Sequence, residues 1–141
     1  MILLDTDHIT ILLRPDDSRH QRLKSALQRR WDEGVGTTVV SVEEQMKGWL
    51  AKIHRAKEPE AEIEPYARLA ALISFLARWQ IELFDEFSII EFKRLTQQRV
   101  RIGSQDLKIA SIALSNNALL LSANLKDFEK VPGLRVENWL E

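Results

Sequence analysis

The sequence contains no cysteine, little glycine or proline, and no long apolar run. Without cysteine there can be neither a disulfide framework nor thiol chemistry, and a reducing cytoplasm is the compartment that fits best. No apolar stretch approaches the roughly 20 residues that a membrane-spanning helix needs, so we expect no membrane insertion. Five Gly and four Pro among 141 residues, of which 45% are hydrophobic, are typical of a compact soluble chain rather than a disordered one. We expect residues 1–141 to form a single domain.

An excess of positive charge is also lacking. Twenty Lys and Arg residues oppose 21 Asp and Glu residues, which gives a formal net charge of −1. The chain therefore has no global positive field of the kind that marks an obvious nucleic-acid-binding protein. Basic residues gather in segments 19–30, 47–57 and 93–101, and we interpret each segment as a solvated helix face. The scattered His8, His20 and His54 are interpreted as ordinary surface or helix residues.

Short apolar runs alternate with longer segments of helical periodicity. The alternation predicts an α/β fold, with a mostly parallel central sheet and helices on both faces in three layers. The predicted strands are 2–4, 37–40, 81–84, 119–123 and 134–136.

Polar side chains stand where several of these strands end. Asp5 finishes the first strand, Glu44 follows the second, and Asn124 lies just beyond the strand at 119–123, while Asp106 lies in the first turn of a helix that starts near 105. Ligands of parallel α/β sheets collect at this carboxyl edge. Carboxylates meeting there would repel each other unless a cation lay between them. Because the set contains oxygen ligands and neither Cys nor His, it favours Mg²⁺ or Mn²⁺ over zinc.

Each acidic residue also has a purely structural interpretation. Asp106 can stabilise its helix through the N-terminal dipole. Glu44, three residues after Ser41, completes a capping-box pattern. Asp7 is interpreted as a helix cap, whereas Asp5 still belongs to the end of the strand and lies too early to cap.

Three motifs in order carry a resemblance to a known family. They are LDTDH at 4–8, IGSQDLKIA at 102–110, and NLKDF at 124–128 followed by VPGL at 131–134. In their order, their spacing and the total length, they resemble the PIN-domain ribonucleases of the VapC toxin type, found in bacterial toxin–antitoxin pairs. The resemblance covers nearly the whole chain.

The resemblance implies a three-layer PIN-like domain in which Asp5, Glu44 and Asp106 hold Mg²⁺, with Mn²⁺ able to substitute. A metal-activated water would then hydrolyse an RNA phosphodiester bond. Glu44 rather than Glu43 is implicated because the family's glutamate stands four residues before a glycine, here Gly48. The resemblance also implies a cognate antitoxin as partner and a homodimer.

The fourth metal ligand is open between two residues. Asn124 lies at the strand tip but offers only a neutral amide oxygen, whereas Asp127 carries charge but lies three residues further on. We prefer Asn124 as the direct ligand, with Asp127 acting at longer range. Thr6 and Ser122 could orient ligands or water through hydrogen bonds. The family usually has leucine where this chain has Gln45.

A competing class is a module without nuclease activity, either a phospho-acceptor receiver or a protein-binding scaffold. A receiver needs an aspartate on its middle strand and a lysine late in the chain. Here the third strand ends at Phe84-Asp85 with no clear partner. We therefore expect an endoribonuclease, whose RNA target the sequence does not specify.

Overall fold

The computed structural model describes residues 1–141 and has a parallel five-stranded sheet at its centre. The strands lie in the spatial order β3-β2-β1-β4-β5, and every neighbouring pair is parallel. The predicted α/β fold with three layers is confirmed. The strands are β1 (Ile2–Leu4), β2 (Val35–Thr38), β3 (Gln80–Glu82), β4 (Leu119–Leu121) and β5 (Arg135–Glu137).

Helices cover both faces of the sheet, and none is long and apolar enough to cross a membrane. Two short 3₁₀ segments, Trp31–Glu33 and Pro59–Glu62, lie in the connections. The helices are α1 (Thr6–Leu12), α2 (His20–Arg29), α3 (Val39–Arg55), α4 (Ile63–Leu76), α5 (Glu86–Gln97), α6 (Ser104–Ser115) and α7 (Leu125–Phe128).

The two central strands, β1 and β4, are apolar at every position because both faces of the sheet are buried. Alternate side chains enter opposite cores. Leu3 and Leu120 pack with residues of α6 such as Ile109 on one face. Ile2 and Leu4 pack on the other face with residues of α1 and α2. This burial fixes the register that places the carboxyl ends of β1, β2 and β4 side by side.

The second strand ends earlier than predicted, and the helix after it starts sooner. Val39 and Val40, which were expected to finish the strand, begin α3. Thr38 is the N-cap, and its hydroxyl oxygen accepts a hydrogen bond from the Ser41 N–H at 3.0 Å. The predicted capping box of Ser41 and Glu44 is therefore wrong. Glu44 lies in the second turn of α3, where capping places no demand on its carboxylate.

Candidate active site

Asp5 joins β1 to α1 and is almost completely buried. Its Oδ1 accepts the Thr6 N–H at 2.7 Å, and its Oδ2 accepts the Ser122 hydroxyl at 2.8 Å. The Ser41 hydroxyl lies 3.5 Å from Oδ1. The expectation that Asp5 lies too early to cap a helix is wrong, because α1 begins at Thr6 and Asp5 is its N-cap. Asp7, the predicted cap, lies inside the first turn.

Glu44 has the least satisfied carboxylate at this edge. Its Oε1 atom is buried and has no hydrogen-bond partner. Burial, together with the nearby charges of Asp5 and Asp106, raises the pKa of Glu44 to about 7. The charged form of Glu44 therefore lacks the compensation that a buried carboxylate needs.

Asp106 lies in the first turn of α6 and is linked to the β4–α7 connection. The Asn124 side-chain nitrogen donates to Asp106 Oδ2 and to Asp127 Oδ2, each at 3.1 Å. Burial raises the pKa of Asp106, and the charge of Asp127 adds to this effect. The hydrogen bond from Asn124 is the main reason why the pKa of Asp127 is below its ordinary value. One amide thus bridges two acids that would otherwise repel each other.

Ser122 and Thr6 occupy different environments. The Ser122 hydroxyl is buried, donates to Asp5 and accepts the Asn124 N–H at 3.0 Å. It therefore lies in direct contact with one of the predicted ligands. The Thr6 hydroxyl is buried without a hydrogen-bond partner, so it donates to none of the carboxylates. Its backbone N–H, rather than its side chain, holds Asp5.

A buried histidine beside this site escaped the sequence analysis. His8 lies in α1, as one of the two interpretations has it, but it is completely buried, so the interpretation as a surface residue is wrong. Its Nε2 accepts the Trp139 N–H at 3.1 Å, and Nδ1 lies 2.6 Å from Asp7 Oδ1. Because a backbone N–H can only donate, Nε2 is the acceptor, and the ring proton on Nδ1 is donated to Asp7.

Asp7 extends this chain of hydrogen bonds to the β4–α7 connection. Its Oδ2 accepts the Ala123 N–H at 2.9 Å and lies 3.4 Å from the Ser122 hydroxyl. The signal that would have indicated His8 is its position one turn before Ile11 and Leu12 on α1, at helical spacing with apolar residues. The donor to its Nε2, the Trp139 N–H, lies 131 residues away in the chain and has no local signal.

Gln45 is a second buried polar residue that links helices. Its side-chain nitrogen donates to the Thr6 carbonyl oxygen and to the Thr10 hydroxyl, each at 2.9 Å. The amide therefore links α3 to α1 at Gln45 and Thr6, the residues that follow Glu44 and Asp5 in the chain. An apolar side chain at this position could pack there but could make neither bond.

The residue types at the acidic edge suit a divalent cation, but their side chains are not arranged around a single ion site. As the side chains stand, no group of three acidic or histidine residues is placed to hold one metal ion. Carboxylates without a counter-ion repel one another, and mutual repulsion contributes to the raised pKa values of Asp5, Glu44 and Asp106. Their oxygen atoms are the ligands that Mg²⁺ prefers. The partnerless buried oxygen of Glu44 is the feature that a cation would satisfy.

Comparison with known proteins finds relatives over about half of the chain. No family model matches the chain. It is 29% identical over 84 residues to the tRNA(fMet)-specific endonuclease VapC of Salmonella typhimurium, across 57% of this chain and 64% of that protein. It is 35% identical over 80 residues to ribonuclease VapC2 of Haemophilus influenzae, across 54% and 61% of the two chains. The chain is similar to VapC ribonucleases. The predicted resemblance is confirmed, although the matches span less than two thirds of each relative.

Solved structures extend the likeness to the whole chain. A chain of VapBC2 from Rickettsia felis, bound to a promoter DNA fragment, matches with a TM-score of 0.73 at 24% identity, covering 99% of each chain. A chain of FitAcB from Neisseria gonorrhoeae matches with a TM-score of 0.72 at 22% identity, covering 99% of this chain and 98% of that one. At such low identity the agreement concerns the fold, and it confirms the VapC-like, PIN-like fold.

Proposed function

We propose that the protein is a metal-dependent endoribonuclease that hydrolyses RNA phosphodiester bonds as the toxin of a toxin–antitoxin pair. The observation that carries the proposal is the partnerless buried oxygen of Glu44, close enough to Asp5 and Asp106 for their charges to raise its pKa. The names of the matched relatives, which are VapC ribonucleases, support the same activity.

In this proposal Asp5, Glu44 and Asp106 hold Mg²⁺, for which Mn²⁺ can substitute, and the amide oxygen of Asn124 is a fourth ligand. A bound ion of this kind activates water and stabilises the charge that develops on phosphate oxygens. The protein's own contribution is to fix one of these ligands, Asp5, in advance. The Thr6 N–H and the Ser122 hydroxyl orient Asp5.

Asp127 acts at longer range by accepting from the Asn124 amide. Turning this amide toward an ion would exchange its nitrogen for its oxygen at the site and free Asp106 Oδ2 from its present bond. The hydroxyl of Thr6 has no partner and can bind a water molecule. These roles follow the chemistry of the groups present.

The receiver alternative finds no support at the third strand. Asp85 is the N-cap of α5, and its carboxylate accepts hydrogen bonds from the Ser88 N–H at 3.0 Å and the Ser88 hydroxyl at 2.9 Å. These bonds keep the pKa of Asp85 below its ordinary value. The strand before it, β3, lies at the edge of the sheet. Asp85 therefore has a complete structural role.

An antitoxin and a second copy of the chain are the partners that we propose, in the cytoplasm that the absence of cysteine favours. Structural neighbours include VapBC complexes, one of which, from Mycobacterium tuberculosis, is a member of the VapBC family of toxin–antitoxin systems, and they support the first partner. Large apolar side chains exposed around the start of α5 support a contact surface, namely Leu83, Phe87 and Ile90, each more than 60% exposed.

Hydrolysis of single-stranded RNA with and without EDTA tests the activity. We expect Mg²⁺-dependent cleavage that leaves 5′-phosphate ends. Asp106→Asn should abolish cleavage and leave the fold intact, because it removes a charge from a repelling cluster. Glu43→Gln is the control, since Glu43 is exposed and paired with Lys47 at 3.2 Å. Cleavage that persists in EDTA, or in the folded Asp106→Asn variant, would refute the proposal.

A further inference from the structure

A cavity of about 210 Å³ opens between α1, α3 and α4 beside the acidic edge. Thr6 and Gln45 line it, and they directly follow Asp5 and Glu44 in the chain. No acidic side chain lines the cavity. It is therefore a separate compartment that adjoins the proposed metal ligands.

Three cationic side chains converge on this cavity, which we call the cationic cavity. They are Arg14, which follows α1, Lys52 on α3 and Arg68 on α4. Arg14 and Lys52 belong to none of the ion pairs of the chain, and Arg68 makes only a long contact of 3.8 Å with Glu64. In a chain with a net charge of −1, this is a local concentration of positive charge that its own acids leave largely uncompensated.

An aromatic ring lies in the same wall. Trp49 is partly exposed, and the Lys52 ammonium lies 4.6 Å from the centre of its ring. Cations that attract a phosphate backbone, next to a ring on which a base can stack, form the usual combination in single-strand binding sites. The hydroxyl of Thr10 adds a neutral hydrogen-bonding group.

The path from the acids to the cavity runs along one face of α3. Glu44, Gly48 and Lys52 recur every four residues, so Lys52 lies about 12 Å along the helix from Glu44. A Cβ atom at Gly48 would meet no atom within 4 Å. Packing therefore does not require glycine there, and its missing side chain leaves the passage between the acids and the cations open.

We propose that the cationic cavity binds the RNA chain next to the bond that is cleaved, with Arg14, Lys52 and Arg68 on its phosphates and Trp49 against a base. This inference rests on the proposed function and specifies where the substrate lies. The acidic edge by itself repels a polyanion. Substrate affinity must then come from neighbouring positive charge, and the cationic cavity adjoins the acids.

The test measures RNA binding apart from cleavage. In an Asp106→Asn background, the anisotropy of a short fluorescein-labelled single-stranded RNA is followed as salt is raised. Removing the three cations as Arg14→Gln, Lys52→Gln and Arg68→Gln should reduce the slope of log affinity against log salt by about 2, at about 0.7 for each lost phosphate contact. The control removes the same charge from exposed, unpaired residues elsewhere, as Arg29→Gln, Lys93→Gln and Arg99→Gln.

Gly48→Leu is a second variant that changes no charge. It should weaken RNA binding by obstructing the passage and, in the active protein, raise KM more than it lowers kcat. Apart from Asp106 in the shared background, all substituted positions are exposed, so the variants should fold. Circular dichroism checks this point.

The outcomes separate the two proposals. Equal losses in the two triple variants would overturn the cavity as a site, because only the overall charge would matter. The cavity proposal would also be overturned if the Asp106→Asn parent bound no RNA. It would be overturned likewise if the cavity triple variant lost antitoxin binding but kept RNA binding. If the wild-type protein cleaves no RNA but the cavity triple variant loses RNA binding selectively, the cavity stands and the nuclease proposal fails.

Discussion

Asp5 and Glu44 lie at one edge of the sheet but differ in their burial and in the hydrogen bonds that their carboxylates accept. Asp5 is almost fully buried and accepts hydrogen bonds from the Thr6 N–H and the Ser122 hydroxyl. Glu44 is less buried, and its inner oxygen has no donor at all. The pKa of both is raised, but for Asp5 the two hydrogen bonds oppose the effect of burial.

The difference indicates two roles in ligand binding. Asp5 is held in place by its neighbours before any ligand arrives, so its geometry is prepared. Glu44 is the group with the most to gain from a cation, because charge compensation is absent until one binds. Asp5, with its position already fixed, would make metal binding specific. Glu44, with its charge uncompensated, would couple metal binding to the stability of the fold.

Removing each carboxylate should have the same effect on activity and different effects on stability. Asp5→Asn and Glu44→Gln should each lower kcat on the order of a thousandfold, because each removes a proposed metal ligand. In EDTA, Glu44→Gln should raise the free energy of unfolding, since it removes a buried charge without a partner. Asp5→Asn should raise the free energy of unfolding less, because the side-chain nitrogen of asparagine cannot accept the hydrogen bond that the Ser122 hydroxyl donates to Asp5. Urea unfolding measures both, and equal gains would contradict the comparison.

His8 offers a way to loosen Asp5 without touching it. The imidazole holds Asp7, which in turn contacts Ser122 and the Ala123 N–H. His8→Gln can still accept from the Trp139 N–H but reaches Asp7 poorly, whereas His8→Asn can donate to Asp7 and loses Trp139. If positioning matters, His8→Gln should lower Mn²⁺ affinity and kcat by about 10- to 100-fold, and His8→Asn by much less.

Both His8 variants should be destabilised to a similar degree, by about 1–3 kcal/mol, because each leaves one buried group unsatisfied. Stability alone therefore cannot produce a difference between them. Calorimetric titration with Mn²⁺ and single-turnover kinetics provide the comparison. Equal kinetic losses that follow the loss of stability would reduce His8 to a structural residue.

The edge at which these groups meet could be predicted from the sequence, because the strands that define it are marked by continuous apolar runs. Continuous apolar runs such as Ile2–Leu4 mark strands buried on both faces, and parallel strands bring their carboxyl ends together. The parallel sheet and the approach of Asp5, Glu44 and Asp106 to one edge follow from such patterns, whereas the order of the strands does not. The β2 boundary was missed because Val39 and Val40 have high strand propensity, whereas the Thr38 cap and burial of Val40 place them in a helix.

The contrast between Asp5 and Glu44 could not be predicted in this way. It depends on a donor, Ser122, that lies 117 residues from Asp5 and on the absence of any donor near one oxygen of Glu44. Spacing identifies which residues approach an edge, but hydrogen-bond partners depend on side-chain packing across the fold. The cationic cavity was missed for the same reason, because its three cations belong to three separate segments.

The pH dependence of stability isolates the Glu44 side of the comparison and has the smallest expected effect. Its pKa rises from 4.5 to about 7 on folding, so the folded state holds the proton more tightly. This contribution to stability is fully present below pH 4.5 and is lost as the pH rises through about 7. Because the side chain is partly exposed, solvent screening reduces the loss to on the order of 1 kcal/mol.

Urea unfolding in EDTA across this window should therefore show the metal-free protein becoming less stable as the pH rises. Glu44→Gln should flatten the profile, whereas Glu43→Gln, at an exposed carboxylate with its own partners, should change it less. Saturating Mn²⁺ should reverse the slope, since a cation stabilises the charged form that burial disfavours. If the stability of Glu44→Gln still falls with pH as steeply as that of the wild type, the uncompensated charge is not on Glu44. Asp5, despite its two hydrogen bonds, would then be the carboxylate whose charge the fold leaves uncompensated.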